Sequence, residues 1–230
     1  MKLSVIMPVY NERATIAEII RRVLAVELPK ELIIVDDGST DGTGELLRQI
    51  PPEVATVLFH ERNQGKGAAI RTGLEHVTGE IVIIQDADLE YDPNDYPALV
   101  RPIVEGGAQV VYGSRTARPE NRYSHFRFYL GGRLLSSIAN LLYGTNITDE
   151  PCCYKLFRRD LLKELRLECR GFEFCPEITA KVARRGIPIY EVPIRYSART
   201  VAQGKKISWQ DGLYAIWILL KYRFVRERER

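Results

Sequence analysis

No stretch of this 230-residue chain approaches the roughly 18 uncharged residues of a membrane-spanning helix. The amino terminus also falls short of a signal peptide, with one Lys and a brief apolar run broken by Pro8. A cytoplasmic protein is expected, with contact at the cytoplasmic face of a membrane left open. Excess charge is lacking too: 33 Lys and Arg stand against 30 Asp and Glu, and a net charge of +3 with no zinc-finger or RNA-binding signature argues against nucleic acid. The four cysteines, Cys152, Cys153, Cys169 and Cys175, lack metal-ligand spacing, and the adjacent Cys152 and Cys153 are poor disulfide partners for each other. Buried or free thiols in a reducing compartment are the expectation. Both common phosphate loops are missing, since the first apolar run leads into Tyr10-Asn11-Glu12 rather than Gly-x-Gly-x-x-Gly, and there is no Walker loop. A bound nucleotide would have to be held by carboxylates and a metal.

What is present is an alternation of strand and helix patterns. Leu3 to Val9 reads as a strand, and Ile16, Ile19, Ile20, Val23 and Leu24 follow the stripe of an amphipathic helix. Leu32 to Val35 and Thr56 to Phe59 are further strands. Short helices follow them, marked by Leu46, Leu47 and Ile50 and then by Ile70, Gly73, Leu74 and Val77. The run Ile81-Val-Ile-Ile84 reads as a strand buried on both faces. This order implies a mainly parallel sheet with right-handed crossovers, whose ligands sit beyond the carboxyl ends of the strands.

Polar motifs fall at those ends. The first is Pro8-Val9-Tyr10-Asn11-Glu12, the second Asp36-Asp37-Gly38-Ser39-Thr40-Asp41-Gly42-Thr43, and the third Arg62-Asn63-Gln64-Gly65-Lys66-Gly67, which opens a helix. The fourth is Asp86-Ala87-Asp88-Leu89-Glu90. On an extended backbone its three acids point the same way, and three oxygen ligands at a strand end suit Mg²⁺ or Mn²⁺. Each motif also has a plainer reading: Ser39, Thr40 and Asp41 are good helix caps, Gly65 and Gly67 suit a tight turn, Glu12 suits a cap, and the acids suit a solvated loop. Four polar strand ends in one crevice are hard to attribute to capping throughout.

Taken together these motifs resemble family 2 glycosyltransferases of the GT-A fold, most closely the dolichyl-phosphate mannose synthase and polyprenyl-phosphate glucosyltransferase branch. The resemblance runs from residue 3 to about 212. It implies a single Rossmann-like α/β catalytic domain over residues 1–212, with a mainly parallel central sheet flanked by helices. Residues 213–230 would form a basic amphipathic helix. It implies a nucleoside pocket of Pro8, Tyr10, Glu12 and Asp37, with Lys66, Gly67, Asp86, Ala87 and Asp88 also on the donor. Asp86, Asp88 and Glu90 match the metal segment, where the synthases commonly carry Gln in place of Glu90. Gly113-Ser114-Arg115 matches a strand end whose arginine meets the acceptor phosphate. Arg133 resembles a second such arginine, with Arg127 as a competitor in register. Arg199 and Lys206 fall in a loop that closes over the donor diphosphate in the family.

The implied reaction is inverting transfer of a hexose from a GDP-mannose or UDP-glucose type donor, aided by Mg²⁺ or Mn²⁺. Asp88 and Arg199, with Lys206, would stabilise the departing diphosphate. If the acceptor is a polyprenyl or dolichyl phosphate, its oxygen is already anionic, and Arg115 and Arg133 would orient it without a general base. If it is a sugar or protein hydroxyl, a base is required, and Asp149 is the candidate. A non-catalytic nucleotide-sugar-binding subunit is a further alternative. A sugar-nucleotide pyrophosphorylase is disfavoured by Tyr10-Asn11-Glu12 where a Gly-rich loop would stand. Two apolar stripes, Phe126 to Leu142 and Leu213 to Phe224, suit either packing within the protein or a subunit, or a membrane interface. The sequence leaves a homo-oligomer open.

Overall fold

The computed structural model describes residues 1–121, 126–199 and 209–225. Among these residues, seven strands form one sheet: β1 (Leu3–Val9), β2 (Lys30–Asp36), β3 (Thr56–Phe59), β4 (Ile81–Ile84), β5 (Val110–Ser114), β6 (Lys155–Arg158) and β7 (Ile189–Pro193), in the order β3-β2-β1-β4-β6-β5-β7. β1 pairs in parallel with β2 and β4, β2 with β3, and β5 with β7. β6 is antiparallel to both β4 and β5, so it alone runs against the rest. The mainly parallel sheet expected from the alternating pattern is therefore present, with one reversed strand inserted near its middle.

The helices are α1 (Ile16–Ala25), α2 (Thr43–Leu47), α3 (Lys66–Leu74), α4 (Tyr96–Val104), α5 (Phe126–Tyr143), α6 (Arg159–Glu164), α7 (Phe174–Arg184) and α8 (Trp209–Phe224). They cover both faces of the sheet because the strands send alternate side chains to opposite sides. Val5, Met7, Ile34, Ile81 and Ile83 meet Ile16, Ile19 and Val23 of α1 and Leu99 and Ile103 of α4 in one core. Ile6, Ile33, Val82 and Ile84 meet Ile70 and Leu74 of α3, Ile178 of α7, and Ile218 and Leu219 of α8 in the other. Each of these fully buried aliphatic side chains contributes about 1.5–3 kcal/mol relative to an exposed one.

Some expected boundaries shift. β2 begins at Lys30, two residues before Leu32, because Lys30 and Glu31 are in register with Leu3 and Ser4. Leu24, the last residue of the α1 stripe, is exposed. α8 begins at Trp209, so the boundary drawn at 212 lies inside its first turn, and its buried face belongs to the second core. Among the described residues no helix is long and apolar enough to cross a membrane.

Candidate functional site

The carboxyl ends of β1 and β2 are tied together by their own motifs. Beyond β1 the backbone turns through Asn11, whose φ is 52°, and the Asn11 amide donates to Ser39 Oγ at 2.9 Å. The Thr40 amide donates back to Asn11 Oδ1 at 2.8 Å, and the Glu12 amide donates to Thr43 Oγ1 at 3.0 Å. Ser39 and Thr40 therefore brace the first strand end rather than cap α2. Asp41 accepts from the Thr43 amide at 3.0 Å, closing the turn into that helix.

Asp37 is buried and ties β2 to the loop before α3. It accepts from the Gln64 amide at 2.9 Å and the Gly65 amide at 2.8 Å, and meets His60 Nδ1 at 2.6 Å. A carboxylate has about four acceptor directions, so three are committed and about one is left for a ligand. Gly65 has φ 97°, and a Cβ there would lie 2.4 Å from the Arg170 carbonyl oxygen. Gly67 is equally close to the Cys169 carbonyl, and the Ala68 amide donates to Arg170 O at 3.0 Å. The two glycines thus let residues 169–171 pass against the first turn of α3, which consumes one amide that an anion would otherwise use.

Beyond β4 the chain leaves the strand at Ile84, and Leu89 takes φ 64°. The extended alternation expected for Asp86, Asp88 and Glu90 is replaced by a turn, and Lys66, Arg199 and Tyr196 hold the three carboxylates. Asp86 pairs with the Lys66 ammonium. Asp88 accepts from Arg199 Nη2 at 2.7 Å and the Glu90 amide at 3.1 Å. Glu90 accepts from the Arg199 amide at 2.7 Å and from the Tyr196 hydroxyl at 3.0 Å. Arg199 Nη1 also reaches both Glu12 carboxylate oxygens, at 3.1 and 3.2 Å. Burial and then the charges of Asp86 and Glu90 push the Asp88 carboxyl up to about 7, against the pull of Arg199. Among the described residues no three His, Cys, Asp or Glu side chains converge as a ready metal site. The donor chemistry, carboxylates crowded enough to push the Asp88 carboxyl up, fits a hard divalent cation, but Lys66 and Arg199 would have to yield part of their hold.

Lys66 is deeply placed. Burial works against its charge, but Asp86 and the neighbouring Cys153 and Cys175 sulfurs hold its pKa well above the ordinary value. Its ammonium lies 3.1 Å from Cys153 Sγ.

Arg115, beyond β5, makes a buried bidentate pair with Asp149: Nη2 to Oδ1 at 2.7 Å and Nε to Oδ2 at 2.8 Å. The Arg115 amide adds a third bond to Oδ2 at 2.8 Å. With both oxygens accepting from a guanidinium, Asp149 could take a proton from a hydroxyl only by breaking the pair. The same guanidinium lies 5.0 Å from the centre of the Tyr196 ring. Arg133 Nη1 donates to the Thr148 carbonyl at 3.3 Å, whereas Arg127 lies over the Phe128 ring. Of the two competing arginines, Arg133 is the one beside the Asp149 loop.

Of the remaining expected residues, Pro8 lies in β1 opposite Val35 of β2, Tyr10 is half-buried just beyond β1, and Ala87 is buried in the first core. Lys206 lies outside the described residues. Sequence reasoning missed His60 and Tyr196. His60 follows β3, the strand beside β2, so neighbouring strand ends were a usable signal. Tyr196 joins the Glu90 end of the crevice to Arg115 through a separation of about one hundred residues, for which no local pattern exists.

A family model, Glycosyl transferase family 2, matches residues 4–166. The chain belongs to this family. It is 32% identical over 211 residues to the undecaprenyl-phosphate 4-deoxy-4-formamido-L-arabinose transferase of Edwardsiella ictaluri, covering 88% of this chain and 62% of that protein. The transferase of the same name from Salmonella paratyphi A is 34% identical over 217 residues, with 89% and 62% covered. The chain therefore spans about three fifths of these relatives' length. Among solved structures, glucosyl-3-phosphoglycerate synthase from Mycobacterium tuberculosis, in complex with Mn²⁺, uridine diphosphate and phosphoglyceric acid, superposes with TM-score 0.72 at 24% identity. That match covers 99% of this chain and 80% of that one. The fold of this family 2 member is GT-A.

Proposed function

We propose that this chain transfers a sugar, with inversion, from a nucleoside-diphosphate sugar of the GDP-mannose or UDP-glucose type to a polyprenyl phosphate. Residues 1–212 would form the catalytic unit. The observation that carries the reading is one continuous polar network along the carboxyl edge of the sheet: Glu12, Arg199, Asp88, Glu90, Tyr196, Arg115 and Asp149. One end offers carboxylates for a metal–diphosphate, and the other offers an arginine for an anionic acceptor. The two similar transferases are named for undecaprenyl phosphate, which agrees with an anionic lipid acceptor.

On this reading Asp86, Asp88 and Glu90 would hold Mg²⁺ or Mn²⁺, the ion supplying Lewis-acid neutralisation of the leaving diphosphate. Arg199, released from Asp88, turns its guanidinium to the same phosphates. Asp37 and His60 hold the loop that carries Lys66 at the donor. Asp149 holds Arg115 in one orientation, and Arg115 with Arg133 fixes the acceptor phosphate for attack. No base is needed because the attacking oxygen carries its own charge, which agrees with an Asp149 already committed to Arg115. The exposed aromatic and basic faces of α5 and α8 supply a peripheral contact with the membrane that holds such an acceptor.

A panel of nucleotide sugars with polyprenyl phosphate in detergent tests the reading, comparing the wild type with Asp88→Ala. Expected is transfer from one donor by the wild type and its near-complete loss in the variant, with the circular dichroism spectrum unchanged. No turnover of polyprenyl phosphate by the wild type with any common donor would overturn it.

A further inference from the structure

Glu191 of β7, half-buried at the edge of the sheet, accepts three hydrogen bonds from the backbone of one loop. Its two oxygens meet the Thr148 amide at 2.9 and 2.8 Å, and one of them also meets the Asp149 amide at 3.1 Å. Those two residues bear on both arginines assigned to the acceptor. Asp149 holds Arg115 through Nε and Nη2, and the Thr148 carbonyl accepts from Arg133 Nη1 at 3.3 Å. The Thr148 hydroxyl lies 2.6 Å from Ser114 Oγ, one residue before Arg115. On either side the loop is fastened by α5: Asn140 exchanges hydrogen bonds with the Ile147 amide and carbonyl, at 2.9 Å each, and Ser136 Oγ accepts from the Glu150 amide at 2.9 Å. The two amides between them go to Glu191. Hydrogen bonds to a carboxylate are charge-assisted and about twice as strong as neutral ones. The anchor is also in register with its target, since β7 pairs with β5 and sets Glu191 opposite Tyr112 and Pro193 opposite Ser114.

We propose that Glu191 is a positioning residue for the acceptor: by holding residues 148 and 149 it fixes the spacing between Arg115 and Arg133, and so the fit of a phosphate monoester between them. The proposal rests on the acceptor reading of those two arginines and concerns neither the donor nor the metal. A misplacement of about 1 Å in such a site costs up to about a hundredfold in rate. A loosened loop should therefore weaken use of the acceptor and leave use of the donor as it was.

Kinetics of Glu191→Gln and Glu191→Ala on the full chain, with both substrates varied, test it. The amide variant keeps one acceptor oxygen and the alanine variant none. Expected is a fall in kcat/KM for polyprenyl phosphate of about threefold to tenfold in Glu191→Gln, and more in Glu191→Ala, while the KM of the nucleotide sugar stays within about twofold. Glu31→Gln, which loosens a carboxylate that holds the Thr78 and Gly79 amides beside β2, should change neither. A second readout needs no turnover. The Arg115 Nε proton, held against Asp149 at 2.8 Å, should give a slowly exchanging resonance, assigned by its loss in Arg115→Lys. In Glu191→Gln it should exchange with water on the order of tenfold faster. The proposal is overturned if donor and acceptor parameters fall together, the pattern of general destabilisation, or if either acceptor use or Nε exchange in Glu191→Gln equals that of the wild type. If Glu191→Ala does not fold, Glu191→Gln decides alone. If the wild type uses no polyprenyl phosphate, the acceptor reading fails, and Nε exchange still decides whether Glu191 fixes Arg115.

Discussion

Asp149 shows how a residue's chemistry is set by its partner rather than its type. A carboxylate 2% exposed and held by Nε and Nη2 of Arg115 is stabilised as the anion in one orientation. Asp149→Asn should lower the melting temperature, since it leaves Arg115 partly unpaired, yet keep turnover of polyprenyl phosphate within about tenfold of wild type. A loss of about 10² to 10⁴ with unchanged stability would instead restore the base role. Glu31, far from the crevice, gives a pH prediction. Burial raises its pKa, but Lys2, Ser4 and Thr78 outweigh that and hold it at about 2. Because the folded value is depressed, the stabilisation is fully present above the unfolded value of about 4.3 and is lost as pH falls toward 2. Lys2 at 2.6 Å is its charged partner, and with solvent screening the contribution is about 1 kcal/mol. Urea midpoints at pH 6 and pH 3 should therefore fall less in Glu31→Gln than in the wild type; equal falls would count against the pairing.

At the scale of elements, the first turn of α3 is where strand-end chemistry and packing meet. Its entry residue Gly65 combines φ 97° with a carbonyl oxygen 2.4 Å from where a Cβ would stand, so no other residue fits without displacing residues 169–171. Gly65→Ala should destabilise the fold by about 2–3 kcal/mol. It should also disturb the Gly65 amide bond to Asp37, so nucleotide affinity should fall together with stability in paired denaturation and calorimetry measurements. A variant as stable as the wild type would show that the turn has slack.

At the scale of the whole molecule, α5 and α8 pack against each other and both leave large apolar side chains exposed. Phe126, Leu130 and Leu141 on α5 and Leu213, Trp217 and Phe224 on α8 are exposed, while Tyr143 of α5 donates to the Leu219 carbonyl of α8 at 2.6 Å and locks the two helices together. Arg127, Arg133, Lys221 and Arg223 face a single acid, Asp211, on these helices. Apolar, aromatic and cationic groups in one surface are those that anionic bilayers attract. Vesicles rich in phosphatidylglycerol should retain the protein in sedimentation, release it as salt rises, and retain Trp217→Glu/Phe224→Glu far less. Equal retention of wild type and variant would remove this surface from membrane binding, and a dimer masking it would appear in light scattering.

The sequence by itself determined the alternation of strands and helices, the two-sided sheet and the position of every polar motif at a strand end. Apolar periodicity is local, so the buried face of α1 at Ile16, Ile19, Ile20 and Val23 follows from spacing alone. It also carried the family, through the combination of Tyr10-Asn11-Glu12, Asp36-Asp37, Lys66 and Asp86 to Glu90. Only the tertiary structure decided who partners whom. Asp86, Asp88 and Glu90 follow the alternation of an extended strand on paper, but the turn at Leu89 and the competing cations Lys66 and Arg199 separate them. His60 on Asp37, Tyr196 between Glu90 and Arg115, and the reversed β6 between β4 and β5 all depend on contacts between distant segments. The physical reason is that hydrophobic pattern fixes which face of an element is buried, whereas charge pairing depends on which distant side chain arrives within a few ångströms.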